Sequence, residues 1–225
     1  MSTRQPARIQ LALDRMTIKE AIHMAQQVEP YVDWIEVGTS LIKEFGIESV
    51  RQVKQAFPDK IIVADIKTFD NAKYEFELCF EAGADVATVM GAAPDATLEL
   101  CMQTARQYQG QTMIDLLNVS QERIHILNKH TEAFLCHHVS KDEQEHHGQR
   151  AGSASIHQTT NDSFLNINTP QIAVAGGITL ETLPMILQQS PAVVIVGSAI
   201  TQAHDPAEAA QQIREQIHTF FLQSN

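Results

Sequence analysis

"VADIKTFD" (residues 63–70) closes an apolar run with two aspartates and a lysine. Side chains alternate across a strand, so Val63, Asp65 and Lys67 share one face while Ile62, Ala64 and Ile66 share the other. The apolar set suits contact with a layer of helices. The charged set then points the opposite way, where it is tolerable only if its members are paired, hydrogen-bonded or bound to a cation.

Outward from this stretch, short apolar runs alternate with longer amphipathic ones along nearly the whole chain. The runs are "IQLALD" (9–14), "DWIEVG" (33–38), "IIVADIK" (61–67), "DVATVM" (85–90), "TMIDLL" (112–117), "AFLCHH" (133–138), "QIAVAG" (171–176) and "AVVIVG" (192–197). Helical spacing appears between them in "TIKEAIHMAQQVE", "SVRQVKQAF", "NAKYEFELCFEAG", "ATLELCMQTARQY" and "DPAEAAQQIREQIHTFF". In the last of these, Asp205 suits an N-cap and Pro206 the first helical position. Strands alternating with helices imply a parallel sheet, and eight such units predict a closed (β/α)₈ TIM barrel, though 225 residues is compact for one. An open doubly wound sheet is the alternative. It would call for G-x-G-x-x-G after the first strand, where the chain reads "LALDRMTIKEA". No Gly/Ser-rich linker divides the chain, so a single domain over 1–225 is expected.

The same alternation can be followed on other strands. Ile9, Leu11 and Leu13 face outward with Asp14 inward; Ile35 and Val37 face outward with Trp34 and Glu36 inward; Ile114 and Leu116 face outward with Asp115 inward. Each inward acid lies near the end of its strand, the end at which barrel enzymes keep their chemistry. A lone aspartate there is usually a turn or helix cap, and Asp14 and Asp70 taken singly need be no more. Glu36, Asp65, Lys67 and Asp115 together are harder to explain as caps, because one lysine and several acids can compensate one another only if they converge.

Composition narrows the partners. A formal charge of −11 with no basic block argues against nucleic acid. Cys79, Cys101 and Cys136 are widely spaced, odd in number and without a C-x-x-C pair, which reads as reduced thiols in a cytoplasmic protein. No run approaches the length of a signal peptide's apolar region or a membrane span, so neither secretion nor a membrane partner is expected. Seven of the ten histidines fall between 125 and 157, yet no H-E-x-x-H or comparable pattern marks them as zinc ligands.

"LALD", "IEVGT", "ADIKTFD", "EAGAD", "TVMGAAPDAT", "IDLLNV", "IAVAGGI", "VIVGSAIT" and "DPAEAA" together resemble the orotidine 5′-phosphate decarboxylase superfamily of ribulose-phosphate-binding barrels. The resemblance runs from about residue 9 to 217 and is strongest to its formaldehyde-fixing aldolases, the 3-hexulose-6-phosphate synthases. Its signature is D-x-K-x-x-D, here Asp65, Lys67 and Asp70. The neighbouring branch, the 3-keto-L-gulonate-6-phosphate decarboxylases, usually has a glutamate after the fifth strand, where this chain has Asp115. That branch typically reads His-Arg-Ser-Arg-Asp past the sixth strand, where this chain reads "HVSKDEQ" (138–144), and tends to arginine at the position of Ser198. These choices favour the aldolase. The segment from 141 to 170 matches neither branch well.

The resemblance implies addition of formaldehyde to ribulose 5-phosphate through an enediolate, with decarboxylation of 3-keto-gulonate 6-phosphate as the alternative and a non-catalytic sugar-phosphate-binding barrel as a third reading. It implies Mg²⁺ held by Glu36 and Asp65, a pair that also meets magnesium's preference for one or two carboxylates. It implies catalytic roles for Asp14, Asp65, Lys67, Asp70, Asp115 and His138, and substrate contacts from Asn118 and Lys141. It also implies a homodimer in which Asp70 orients Lys67 and reaches the neighbouring subunit's site. Flanked by acids, Lys67 is expected to stay an ammonium, not to form a Schiff base. His137 and His138 must point to opposite faces, and alignment selects His138 as the acid–base group. Gly176 and Gly177 after the seventh strand, with Gly197 and Ser198 after the eighth, are placed to offer backbone N–H groups to a phosphate.

Overall fold

The computed structural model describes residues 5–140, 142 and 171–223. Eight parallel strands close in sequence order, β1 pairing with both β2 and β8. They are β1 (Arg8–Leu13), β2 (Trp34–Val37), β3 (Ile61–Thr68), β4 (Val86–Met90), β5 (Gln111–Asp115), β6 (Phe134–His138), β7 (Ile172–Ala175) and β8 (Val193–Val196). The expected (β/α)₈ barrel forms, and each strand falls within two residues of its apolar run at either end. The longer helices also lie where spacing placed them: α1 (Ile18–Val28), α3 (Glu48–Ala56), α4 (Ala72–Glu81), α5 (Asp95–Gln107) and the C-terminal helix Pro206–Gln223. Thr17 and Glu20 close a reciprocal capping box on α1. Asp205 Oδ1 accepts from Glu208 N at 3.0 Å, the N-cap bond expected of it. Helices α2 (Thr39–Phe45) and α6 (Gln121–Leu127), and the helix Leu183–Gln188, span seven, seven and six residues. Two turns are too few for a periodic signal, which is why the sequence did not show them.

Two apolar layers follow from the alternation. Ile9, Leu11, Ile35, Val37, Ile62 and Ala64 belong to the large outer core shared with the helices. Trp34, Val63, Val86, Met113, Phe134 and Ile195 belong to a smaller cluster inside the barrel. Trp34 meets Phe134 edge-on, ring centroids 5.2 Å apart, and the Arg8 guanidinium lies over the indole at 5.8 Å. Trp34, Val86 and Phe134 are the first residues of their strands and fill the N-terminal end of the barrel, while Met113 and Ile195, further along theirs, line the space left at the C-terminal mouth.

Strand β3 departs from regular pairing. Ala64 is opposite Ala87, but Thr68 is opposite Val89, so four steps on β3 match two on β4. Lys67 adopts a left-handed φ of 50°, and its N–H donates to Thr88 Oγ1 at 2.8 Å in place of a ladder bond. Such a bulge re-aims side chains near a strand end. Among the described residues no helix is long and apolar enough to cross a membrane. All three cysteines are free and buried.

Candidate active site

A cavity of about 740 Å³ opens at the C-terminal mouth. Asp14, Glu36, Asp65, Lys67, Asp115 and His138 all line it. Lys67 Nζ lies 2.9 Å from both oxygens of Asp65 and 2.9 Å from Asp115 Oδ2. His138 Nδ1 lies 2.9 Å from the same Asp115 Oδ2, while Asp115 Oδ1 accepts from Leu117 N at 2.8 Å. The Asp115 carboxylate therefore fixes Nδ1 of His138 as a donor and sets the orientation of the ring in the cavity. Asp65 also accepts from Thr39 Oγ1 at 2.6 Å and Thr88 Oγ1 at 2.9 Å. With the lysine contacts, these fill the roughly four acceptor directions of a carboxylate.

The acids are buried, Glu36 at 7%, Asp65 at 6% and Asp115 at 3% exposure. Burial would push the Lys67 ammonium down, but the charges of Asp65 and Asp115 outweigh it and hold the amine above the usual lysine range. Burial would likewise raise Asp115, and its bonds and charge interactions with His138 and Lys67 reverse that, leaving it well below the usual carboxylate range. Glu36 is compensated less fully. Burial and then the Asp65 charge push it up to about 8, against a weaker opposing pull from Lys67. A cation beside Glu36 and Asp65 would supply the missing charge. Among the described residues no group of three or more His, Cys, Asp or Glu side chains is arranged to hold a metal. Two carboxylates facing an open cavity suffice for Mg²⁺, which completes its octahedron with water or substrate oxygens. The donor set fits that ion.

Not every expected residue meets the cavity. Lys67 is held by Asp65 and Asp115, not by Asp70, which corrects the expected partner. Asp70 is exposed beyond the end of β3, where its Oδ1 accepts from Asn71 N at 2.7 Å. Asn118 is exposed at a turn with φ 55° and is not among the lining residues. Lys141 lies outside the described residues. Gly176, Gly177, Gly197 and Ser198 line the cavity, the first two with φ of 95° and 67°, a left-handed turn that glycine adopts without strain. His137 faces the helices, and burial pushes it down to about 4. Asp14 Oδ1 accepts from Ser40 N and Ser40 Oγ, and Gly38 permits this placement: a Cβ there would lie 2.4 Å from the Asp14 carboxylate.

The sequence reading passed over Thr39, Thr88 and Gln10. Thr88 and Gln10 are inward by the alternation already applied elsewhere, so the signal was present in "DVATVM" and "IQLALD". Gln10 is fully buried, and its Nε2 donates to Glu36 Oε2.

Residues 7–213 match the orotidine 5′-phosphate decarboxylase / HUMPS family. The chain belongs to that family. Within it, the chain is 36% identical to a 3-hexulose-6-phosphate synthase of Bacillus subtilis over 93% of this chain and 98% of the relative. A solved 3-hexulose-6-phosphate synthase from Salmonella typhimurium superposes with a TM-score of 0.84 at 33% identity, over 95% of this chain and 99% of that one. A 3-keto-L-gulonate-6-phosphate decarboxylase from Vibrio cholerae gives 0.80 at 30% identity, over 96% and 99%. The resemblance read from "ADIKTFD" and its companions is thereby established at family level.

Glu36 binds its proton more tightly in the folded chain (about 8) than in the unfolded one (4.5), so its contribution to stability falls as pH rises through that interval. His137 acts oppositely, but only below its unfolded value of 6.5. In metal-free buffer, the thermal midpoint of wild type should therefore fall more steeply between pH 6.5 and 8 than that of Glu36→Gln. Differential scanning calorimetry at several pH values checks this, and parallel slopes would contradict it.

Proposed function

We propose that this protein is a carbon–carbon lyase of the 3-hexulose-6-phosphate synthase type, joining formaldehyde to ribulose 5-phosphate. The observation carrying the proposal is the sharing of Asp115 by Lys67 and His138. It puts a fixed positive charge and an acid–base group together in one cavity with Glu36 and Asp65. Glu36 and Asp65 are the residues that would hold Mg²⁺. When bound, the ion supplies Lewis-acid charge to oxygens on which negative charge develops.

His138, oriented by Asp115, takes a proton from C1 of the ketose phosphate through its other ring nitrogen. The electron pair left on C1 delocalises onto the carbonyl oxygen at C2, and Lys67 stabilises that charge as an ammonium, without covalent attachment. C1 then attacks formaldehyde, its carbon–oxygen double bond opens, and the new alkoxide takes back a proton, giving a hexulose 6-phosphate. The backbone at Gly176, Gly177, Gly197 and Ser198 receives the phosphate, a role supported by their lining of the same cavity. By resemblance, Asp14 is assigned a catalytic role and Asn118 and Lys141 are assigned contacts to the sugar. The relatives support the synthase reading: the Bacillus subtilis and Salmonella typhimurium proteins carry that name. The likeness to the Vibrio cholerae enzyme supports decarboxylation as a second reading. We further propose a cytoplasmic homodimer with shared sites. Asp70, exposed beside the exposed Phe69 and Tyr74, is presented away from its own chain's cavity.

Purified protein with Mg²⁺ should consume formaldehyde only when ribulose 5-phosphate is present. No consumption, accompanied by CO₂ release from 3-keto-gulonate 6-phosphate, would establish the second reading instead. Asp115→Asn should lower kcat by about 10²–10⁴-fold through loss of the acid–base group's orientation. For the shared site, mixing Lys67→Ala chains with Asp70→Ala chains should restore activity that neither has alone. Mixtures as inactive as their components would place Asp70 outside the partner's site.

A further inference from the structure

Gln10 is the polar residue in an otherwise apolar part of the barrel interior. Its backbone is in register with Trp34 on one side and Ile195 on the other. Glu36 is in register with Ala12, one inward-facing step further along β1, so the Gln10 side chain reaches up toward the mouth to meet it. The amide is fully buried. Its nitrogen donates to Glu36 Oε2, while its buried oxygen has no hydrogen-bond partner among the described residues. An unsatisfied buried acceptor is unfavourable, and an apolar side chain of the same length would avoid it among neighbours such as Trp34 and Ile195.

The two carboxylates at the cavity floor are held very differently. Asp65 is short and is fixed by Thr39, Thr88 and Lys67. Glu36 is longer, has one more rotatable bond, and among the described residues receives only the hydrogen bond from Gln10. We infer that Gln10 is a positioning residue for metal binding, aiming the Glu36 carboxylate into the cavity, and that its unpartnered oxygen is tolerated for that reason. The inference rests on the reading that Glu36 and Asp65 hold the cation. Outer partners of metal-ligating carboxylates typically contribute 10- to 100-fold in metal affinity.

The test is titration calorimetry of full-length wild type, Gln10→Met and Glu36→Gln with Mn²⁺, an ion of similar oxygen preference to Mg²⁺, beside thermal midpoints of the metal-free proteins. Gln10→Met should weaken Mn²⁺ binding about 10- to 100-fold with a metal-free midpoint equal to or above that of wild type. In turnover, its requirement for Mg²⁺ should rise while kcat at saturating Mg²⁺ is retained. An unchanged Mn²⁺ constant in Gln10→Met would overturn the inference and leave the cation reading standing. Weakened binding together with a lowered midpoint would overturn it in favour of a structural role. Failure of wild type to bind Mn²⁺, or Glu36→Gln binding it as well as wild type, would remove the cation reading and this inference with it.

Discussion

One ammonium group, on Lys67, is shared by two carboxylates that the fold has taken out of water. Asp65 and Asp115 come from strands β3 and β5, and neither is a near neighbour of the other in sequence. An unpaired buried carboxylate costs several kcal/mol, so the two acids are compatible with this barrel only while the lysine lies between them. The lysine reaches that position because β3 bulges at its end and turns Lys67 through a left-handed conformation. Its backbone N–H, lost to the ladder, is taken up by Thr88, whose hydroxyl also donates to Asp65. Fold, charge balance and acid–base geometry thus meet at a few atoms, and His138 is added to them through Asp115.

Much of the architecture was legible because a closed parallel sheet imposes a two-residue period on every strand. Ile9, Leu11 and Leu13 had to meet helices, and so their alternates had to face inward. The same rule brought Glu36, Asp65 and Asp115 to the interior, and it separated His138 from His137. It could not show the β3 bulge, which depends on how two strands pair and not on either sequence alone. It therefore could not show that Lys67's second carboxylate is Asp115 in place of Asp70. Short helices were invisible for a related reason: seven residues such as Thr39–Phe45 are fixed by packing, not by a periodic pattern of their own. Gln10 and Thr88 were readable but were passed over, since an uncharged polar residue in an apolar run raises less suspicion than an acid.

The unequal treatment of the two floor carboxylates bears on chemistry. Asp65 is saturated with donors, whereas Glu36 is left with a raised proton affinity and one amide contact. A site built only for stability would neutralise both. Leaving one carboxylate short of positive charge is an unfavourable arrangement for the isolated chain and a suitable one for a chain that acquires a divalent ion. On the proposed reaction a cation's charge would be needed at that place, beside the Lys67 ammonium and the His138 ring oriented by Asp115.

The account depends on Lys67 and Asp115 being energetically coupled, and a double-mutant cycle on unfolding free energy measures that coupling directly. Urea unfolding of wild type, Lys67→Met, Asp115→Asn and the double variant supplies the four values. Removing the lysine should be more costly when Asp115 is intact than when it is already neutral, with a coupling of about 0.5–3 kcal/mol. Additive effects, with no coupling beyond error, would mean that the shared ammonium is not what holds the site together.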